Sequence, residues 1–284
     1  MDEVIEMAPA KLNLALNVGE KYPDGYHEVF SVMTSASLQD IITLERSAGG
    51  EIKLGCSDPA LPCDERNLAY RAAELFFDET TIEHDGLRIH LEKKIPAQAG
   101  LGGGSSDAAA VLRGLRQMYA PNMKLRELER MAIRLGSDVP YCVRGGTSVV
   151  RGKGEQIIPL RAMPECCYVI CKPDEAHSTA DMYHRIDEEK PKCTIDIQGM
   201  AKALVEGELQ EVVSRVGNLF EEVLPAGSEI PAIRRRLTEL GACCACMSGS
   251  GSAVFGIFTN EETARGACAA LLETYSCTYF AKPV

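Results

Sequence analysis

The sequence predicts an α+β protein built as two domains. Strand-like and helix-like segments are mixed without the strict β-α-β alternation of a parallel-sheet protein. At 284 residues the chain suits one large or two modest domains with proper cores. Pro159 and Pro164 interrupt the pattern midway, which sets the expected domains at 1–158 and 159–284.

The elements follow in chain order. Apolar and polar residues alternate through A-K-L-N-L-A-L-N-V at 10–18, a strand, and a second run spans about 29–44. Pro23, Asp24 and Gly25 make a turn between them. Leu68, Ala72, Leu75 and Phe76 recur at helical spacing in 66–78, and a strand follows at about 86–93. A helix over about 105–119 carries Ala108, Val111, Leu112, Leu115 and Met118 on one stripe, and another runs from about 124 to 135 and ends at Gly136. A strand pair surrounds the glycine turns at 145–154. In the second half a strand at 168–171 precedes helices at about 178–188, 196–204, 207–215 and 229–239. Strands at 243–247 and 253–258, a helix at 261–274 and a strand at 277–281 close the chain.

Composition narrows the function. The net charge of −11 argues against nucleic acid as a partner, because a general polyanion binder is normally basic. No apolar run reaches the ~18 residues that span a membrane, and the acidic start M-D-E-V-I-E-M has no signal-peptide core. The expected setting is therefore cytoplasmic, without a membrane partner. Twelve cysteines are many, but none forms a C-x-x-C pair with a matching second pair, and most sit in apolar runs such as C-C-Y-V-I-C. They read as small buried hydrophobes, with no metal site expected.

The segment P-A-Q-A-G-L-G-G-G-S-S-D-A-A-A at 96–110 is the most informative. Its glycines let the backbone take positive φ and come close to a ligand, and the helix behind them aims its positive end and unpaired first N–H groups at the same place. That is a phosphate cradle. Two common nucleotide signatures are missing. Gly152-Lys153 is followed by Gly154, which breaks the Walker pattern, and Gly102-x-Gly104 runs into Asp107 where a dinucleotide fold needs glycine.

P-x-x-x-G-L-G-G-G-S-S-D-A-A resembles the phosphate loop of the GHMP kinases. A-P-A-K-L-N-L-A-L at 8–16, D-G-Y-H at 24–27 and L-G-S-D-V-P at 135–140 resemble one branch of that family, and M-S-G-S-G-S-A-V-F at 247–255 resembles its third glycine motif. The resemblance implies a mixed β/α N-terminal domain and a C-terminal ferredoxin-like plait, with the active site in the cleft between them. It implies transfer of the ATP γ-phosphoryl group to the 2-hydroxyl of a cytidine-diphosphate-linked methylerythritol, in non-mevalonate isoprenoid synthesis, with Mg²⁺ as the ATP counter-ion. The expected protein is a monomer or homodimer.

Residue by residue, Asp138 falls where the family has its catalytic aspartate, and Lys11 would lie beside it, offsetting charge on the moving phosphoryl group. Asn13, two positions on along the strand, shares the face of Lys11 and is placed for substrate. Tyr26 and His27 would recognise cytosine, by stacking and by the donor and acceptor of an imidazole. The segment after Pro173 supplies Thr179 and Tyr183 for the far side of the base, with an aromatic packed on the core as the alternative for Tyr183. Pro96, Gly100, Leu101, Gly102, Gly103 and Gly104 form the ATP phosphate loop, and Ser105 and Ser106 bond phosphate or cap the helix. Asn67 is an adenine or ribose contact, or a helix N-cap. Ser248, Gly249, Ser250 and Gly251 form the second glycine turn, and Asp107 would complement the dipole in the first helical turn. A homoserine- or mevalonate-type kinase would leave D-G-Y-H without a task, and a non-catalytic sensor would not need both Lys11 and Asp138.

Overall fold

The structure, a computed structural model, describes residues 2–192 and 194–284, so Cys193 lies outside the described residues. The elements are β1 (Glu3–Lys21), β2 (His27–Arg46), β3 (Ile52–Cys56), α1 (Leu68–Thr80), β4 (Leu87–Glu92), α2 (Gly103–Tyr119), α3 (Leu125–Ala132), α4 (Val139–Arg144), β5 (Ser148–Gly152), β6 (Gln156–Pro159) and β7 (Cys167–Lys172). They continue with α5 (Thr179–Glu189), α6 (Ile197–Glu206), α7 (Leu209–Val213), β8 (Gly217–Asn218), a 3₁₀ turn (Leu219–Val223), α8 (Ile230–Glu239), β9 (Cys244–Met247), β10 (Val254–Phe258), α9 (Glu261–Leu272) and β11 (Cys277–Ala281). The chain forms two compact units, each discontinuous in sequence. One holds the chain up to Ala10, Gln39–Ala97 and Gly102–Gly145; the other holds Lys11–Leu38, Gln98–Leu101 and Gly146–Val284.

In the first unit the end of β2 pairs antiparallel with β4, and β3 pairs parallel with β4. Strand β4 keeps the period of a half-buried strand, with Leu87, Ile89 and Leu91 inside and Arg88, His90 and Glu92 outside. Helix α2 packs on α1 and α4, and its buried Ala108, Ala109, Ala110, Val111, Leu112 and Leu115 explain why so Ala-rich a helix holds its place. Strand β3 and helix α4 are not foreseen by pattern. The first has a glycine inside five residues, and the second is six residues long with Pro140 in its first turn.

In the second unit the start of β2 pairs with β5, β5 with β6, and β1 with β8. Residues 167–281 then trace β7, α8, β9, β10, α9, β11, with a four-stranded antiparallel sheet in the order β11-β7-β10-β9. This is the split β-α-β-β-α-β arrangement of a ferredoxin-like plait, with α5–α7 inserted after its first strand. Strand β10, an inner strand between β7 and β9, is buried throughout. Cys167, Cys171 and Cys268 belong to the core cluster there, and burial pushes the Cys171 thiol up to about 11. Cysteine serves here as a small hydrophobe. Cys63 and Cys243 are exposed instead.

Strand β1 differs from its alternating pattern. Every residue from Ala10 to Val18 is buried, the polar Lys11, Asn13 and Asn17 included. Polar residues on a strand covered on both faces need internal partners. No helix among the described residues is long and apolar enough to cross a membrane.

Candidate active site

The second unit gathers Lys11, Asn13, the start of the glycine loop and the second glycine turn. Lys11 and Asn13 do share a face of β1: Lys11 Nζ donates to Asn13 Oδ1 at 2.6 Å. Asn13 Nδ2 donates to Ser31 Oγ at 2.8 Å, and Ser31 Oγ donates to the Ala15 carbonyl at 2.8 Å. Lys11 is 4% exposed, so its ammonium is a fixed, largely desolvated charge rather than a solvated strand lysine.

Three consecutive carbonyls of the glycine loop are tied off by donors of the same unit. Ala253 N–H reaches Ala99 O at 3.0 Å, Ser248 Oγ reaches Gly100 O at 3.0 Å, and Lys11 N–H reaches Leu101 O at 2.9 Å. Carbonyl oxygens repel a phosphate, so engaging them removes the loop's acceptors from the field an anion meets. The loop bends through positive φ at Gln98, Gly100 and Gly102, at 52°, 72° and 68°. At Gly100 no other residue fits: a Cβ would stand 2.1 Å from the Ser248 carbonyl oxygen. Gly100→Ala is expected to raise KM for ATP by ~10-fold or more in initial-rate assays, since the strain and the clash both act on the loop. An unchanged KM would show that the loop does not hold the nucleotide.

The second glycine turn is fixed from below. Asn218 Nδ2 donates to the carbonyls of Met247 and Gly249, both at 2.8 Å, and Ser248 Oγ accepts from Asn13 N–H at 3.3 Å. Gly249 lies so close to Lys11 that a Cβ would come within 2.8 Å of Nζ. Ser250 Oγ is 2.9 Å from Thr179 Oγ1, which joins the turn to the start of α5. Gly251 completes the turn at φ 94°.

His27 is buried where β2 begins. Its Nε2 lies 2.7 Å from Asp187 Oδ1, and its ring stacks on Tyr183 with centroids 4.9 Å apart. Tyr183 meets Phe220 edge-on at 5.0 Å, so this aromatic is both a core residue and the platform under His27. Tyr26 is 59% exposed, with the Lys153 ammonium 5.3 Å from its ring centre.

The first unit carries the rest. Helix α2 begins at Gly103, two residues before the predicted start, with Gly102 as its N-cap and Gly104 and Ser105 in its first turn. The first amides of an α-helix have no intrahelical partner, a geometry that suits an anion. Ser106 is buried and donates to the Pro9 carbonyl at 2.8 Å, a fastening role. Pro96 precedes the loop, following Ile95, whose N–H donates to Asp40 Oδ1 at 2.9 Å. Asn67 is the N-cap of α1: its Oδ1 accepts from Ala69 N–H and its Nδ2 donates to the Pro62 carbonyl. Asp138 is the N-cap of α4, and its side chain makes no capping bond there.

Asp107 is not in the first turn of α2 and does not serve the dipole. It turns inward to Lys93, which also meets Asp40 Oδ2 at 2.5 Å. All three side chains are at most 8% exposed. Burial, with Asp40 adding to it, pushes the Asp107 carboxyl up to about 7 despite the nearby Lys93 ammonium. Burial alone would lower the Lys93 pKa, but Asp107 and Asp40 outweigh it and hold it above the usual lysine value. Sequence reasoning missed Ser31, Asn218, Asp187, Lys93 and Asp40. Of these only Asp187 left a trace, its i, i+4 spacing from Tyr183, which puts the two on one helix face.

Comparison with known proteins decides the family. Residues 67–146 match the GHMP kinases N terminal domain and residues 198–277 the GHMP kinases C terminal domain. A 4-diphosphocytidyl-2-C-methyl-D-erythritol kinase of Exiguobacterium sibiricum is 42% identical over 263 residues, covering 92% of this chain and 91% of the relative. The chain belongs to the 4-diphosphocytidyl-2-C-methyl-D-erythritol kinase family of GHMP kinases. The family's Bacillus subtilis member is 41% identical over 260 residues, covering 91% of this chain and 89% of its own. A crystal structure of a 4-(cytidine 5'-diphospho)-2C-methyl-D-erythritol kinase superposes with TM-score 0.83 at 34% identity, covering 99% of both chains. A homoserine kinase of Cytophaga hutchinsonii, 18% identical with TM-score 0.77 and covering 100% of this chain and 95% of its own, shares the fold alone. The family matches cover residues 67–146 and 198–277, whereas the second compact unit also takes in Lys11–Leu38 and Gln98–Leu101 from the first half of the chain.

Proposed function

We infer that this chain is an ATP-dependent kinase that phosphorylates the 2-hydroxyl of 4-(cytidine 5′-diphospho)-2-C-methyl-D-erythritol, a step of isoprenoid precursor synthesis. The observation that carries the reading is near-full-length kinship with kinases of that name, at about the same identity in two genera. Phosphoryl transfer to an alcohol asks the protein for little covalent chemistry; it asks for position and charge.

Each residue then has a physical task. The amides of the glycine loop and of the first turn of α2 take the ATP phosphates. The Lys11 ammonium, steered by Asn13 and crowded by Gly249, offsets the charge that spreads over the moving phosphoryl group. Asp138 orients the acceptor hydroxyl or takes its proton. Tyr26 and His27 recognise the cytosine, with Tyr183 acting through the ring of His27 that it supports. Thr179 and the turn Ser248–Gly251 face the substrate's diphosphate side. Asn67 shapes the 62–67 segment for the adenine by capping α1. Asp107, the acid next to the loop, is engaged by Lys93, so Mg²⁺ belongs to this reading as part of the ATP substrate. The same reading puts the enzyme in the cytoplasm, as a monomer or homodimer.

Phosphorus NMR of the product tests the reaction. A new phosphomonoester resonance beside an intact diphosphate is expected. Cleavage of the diphosphate instead would overturn it.

A further inference from the structure

Asp187 has no part in the motifs that carry the resemblance, yet it fixes a residue that does. Helix α5 presents Tyr183 and Asp187 one turn apart. The first supports the face of the His27 ring, at an interplanar angle of 19°, and the second meets its edge, with Oδ1 2.7 Å from Nε2. The other carboxylate oxygen takes Lys21 Nζ at 2.5 Å. Lys21 and His27 end β1 and begin β2, so Asp187 clasps both sides of the D-G-Y-H turn. The hydrogen bond from Lys21, and after it that from His27, holds the Asp187 carboxyl below the usual carboxylate range. An ionised carboxylate only accepts, so the imidazole must carry its proton on Nε2. In the neutral ring Nδ1 is then the acceptor, and it makes no hydrogen bond among the described residues.

We propose that Asp187 is a specificity-determining positioning residue: by accepting the Nε2 proton of His27 it leaves Nδ1 as an acceptor for the 4-amino group of cytosine, so that cytidyl substrates are taken and uridyl ones refused. Cytosine presents a donor at position 4, where uracil presents a carbonyl oxygen. A lone pair facing that oxygen gains nothing and leaves two buried acceptors opposed. The stack on Tyr183, itself braced edge-on by Phe220, resists turning of the imidazole to offer its other nitrogen.

The inference rests on the reading of His27 as the residue that recognises the base, and the test separates the two. The full chain is labelled with ¹⁵N-histidine and the His27 signals are assigned with His27→Gln. The Nε2–H tautomer is expected in the wild type, and a population with the proton on Nδ1 in Asp187→Asn, whose amide can donate to Nε2. In kinetics, Asp187→Asn should raise KM for the cytidyl substrate by about tenfold, with kcat within about twofold. It should also narrow the preference for the cytidyl substrate over its uridine-diphosphate analogue by about tenfold, and Asp187→Glu should restore much of both. A wild-type His27 protonated on Nδ1 alone, or a preference unchanged in Asp187→Asn while His27→Gln loses it, would overturn the role of Asp187. Unchanged KM in His27→Gln would instead overturn the base-recognition reading on which it rests.

Discussion

Replacing Lys93 by methionine is expected to cost about 3–5 kcal/mol of folding stability, a large share of the ~5–15 kcal/mol typical of a domain. The ammonium lies between two buried carboxylates, Asp40 at 0% and Asp107 at 4% side-chain exposure. Asp40 would keep the N–H groups of Lys94 and Ile95, but Asp107 would lose its partner for Oδ2 while Oδ1 already has none. A melt should show the midpoint falling by about 10 °C, and a midpoint within experimental error of the wild type would contradict the account. Asp107→Asn separates charge from packing. The Asp107 pKa is raised, so between its unfolded value and about 7 the folded state holds more protons than the unfolded one. The stability this group contributes is full in acid and is lost as pH rises through about 7. Removing the titration should therefore make the variant gain on the wild type as pH is raised from ~5 to ~8. A constant difference across that range would refute it.

Asp138→Asn is expected to fold, to bind ATP nearly as the wild type does, and to lose at least ~10²-fold in kcat. Folding should survive because asparagine has the size and shape of aspartate and the backbone there, φ −85° and ψ −17°, suits any residue. The expected loss is of orientation and proton acceptance at the alcohol, neither of which an amide supplies in the same way. Loose transition states need little deprotonation, so the loss should grow with acceptors of higher pKa if Asp138 is a true base, and stay level if it only orients. Turnover like that of the wild type would refute its role.

Much of this protein is legible in the sequence because its long elements keep clean periods. Leu87, Ile89 and Leu91 mark β4, and the stripe from Ala108 to Met118 marks α2. The glycine loop is legible because its positive φ values need glycine, as the approach of Gly100 to Ser248 shows. What sequence cannot give is the partner of a buried polar group. Lys11 and Asn13 read as the outer face of a strand until β1 proves covered on both sides. Lys93 reads as one lysine of a K-K pair, and only tertiary packing brings Asp40, 53 positions away, to its ammonium. The start of α2 is misplaced by two residues because glycines in a first turn carry no helical signal, and that error misassigned Asp107. Asp187 hides for the same reason as Lys93: on a polar helix face, an acid that holds a histidine has the same local sequence as one that faces water.

In the proposed enzyme an ATP phosphate loop serves a cytidyl alcohol. Purified protein given Mg-ATP and, in turn, the cytidine-diphosphate-linked methylerythritol, homoserine and mevalonate tests it most directly, with ADP release as the readout. ADP release with the cytidyl alcohol alone is the expected result. Turnover of mevalonate or homoserine without turnover of the cytidyl alcohol would contradict the account.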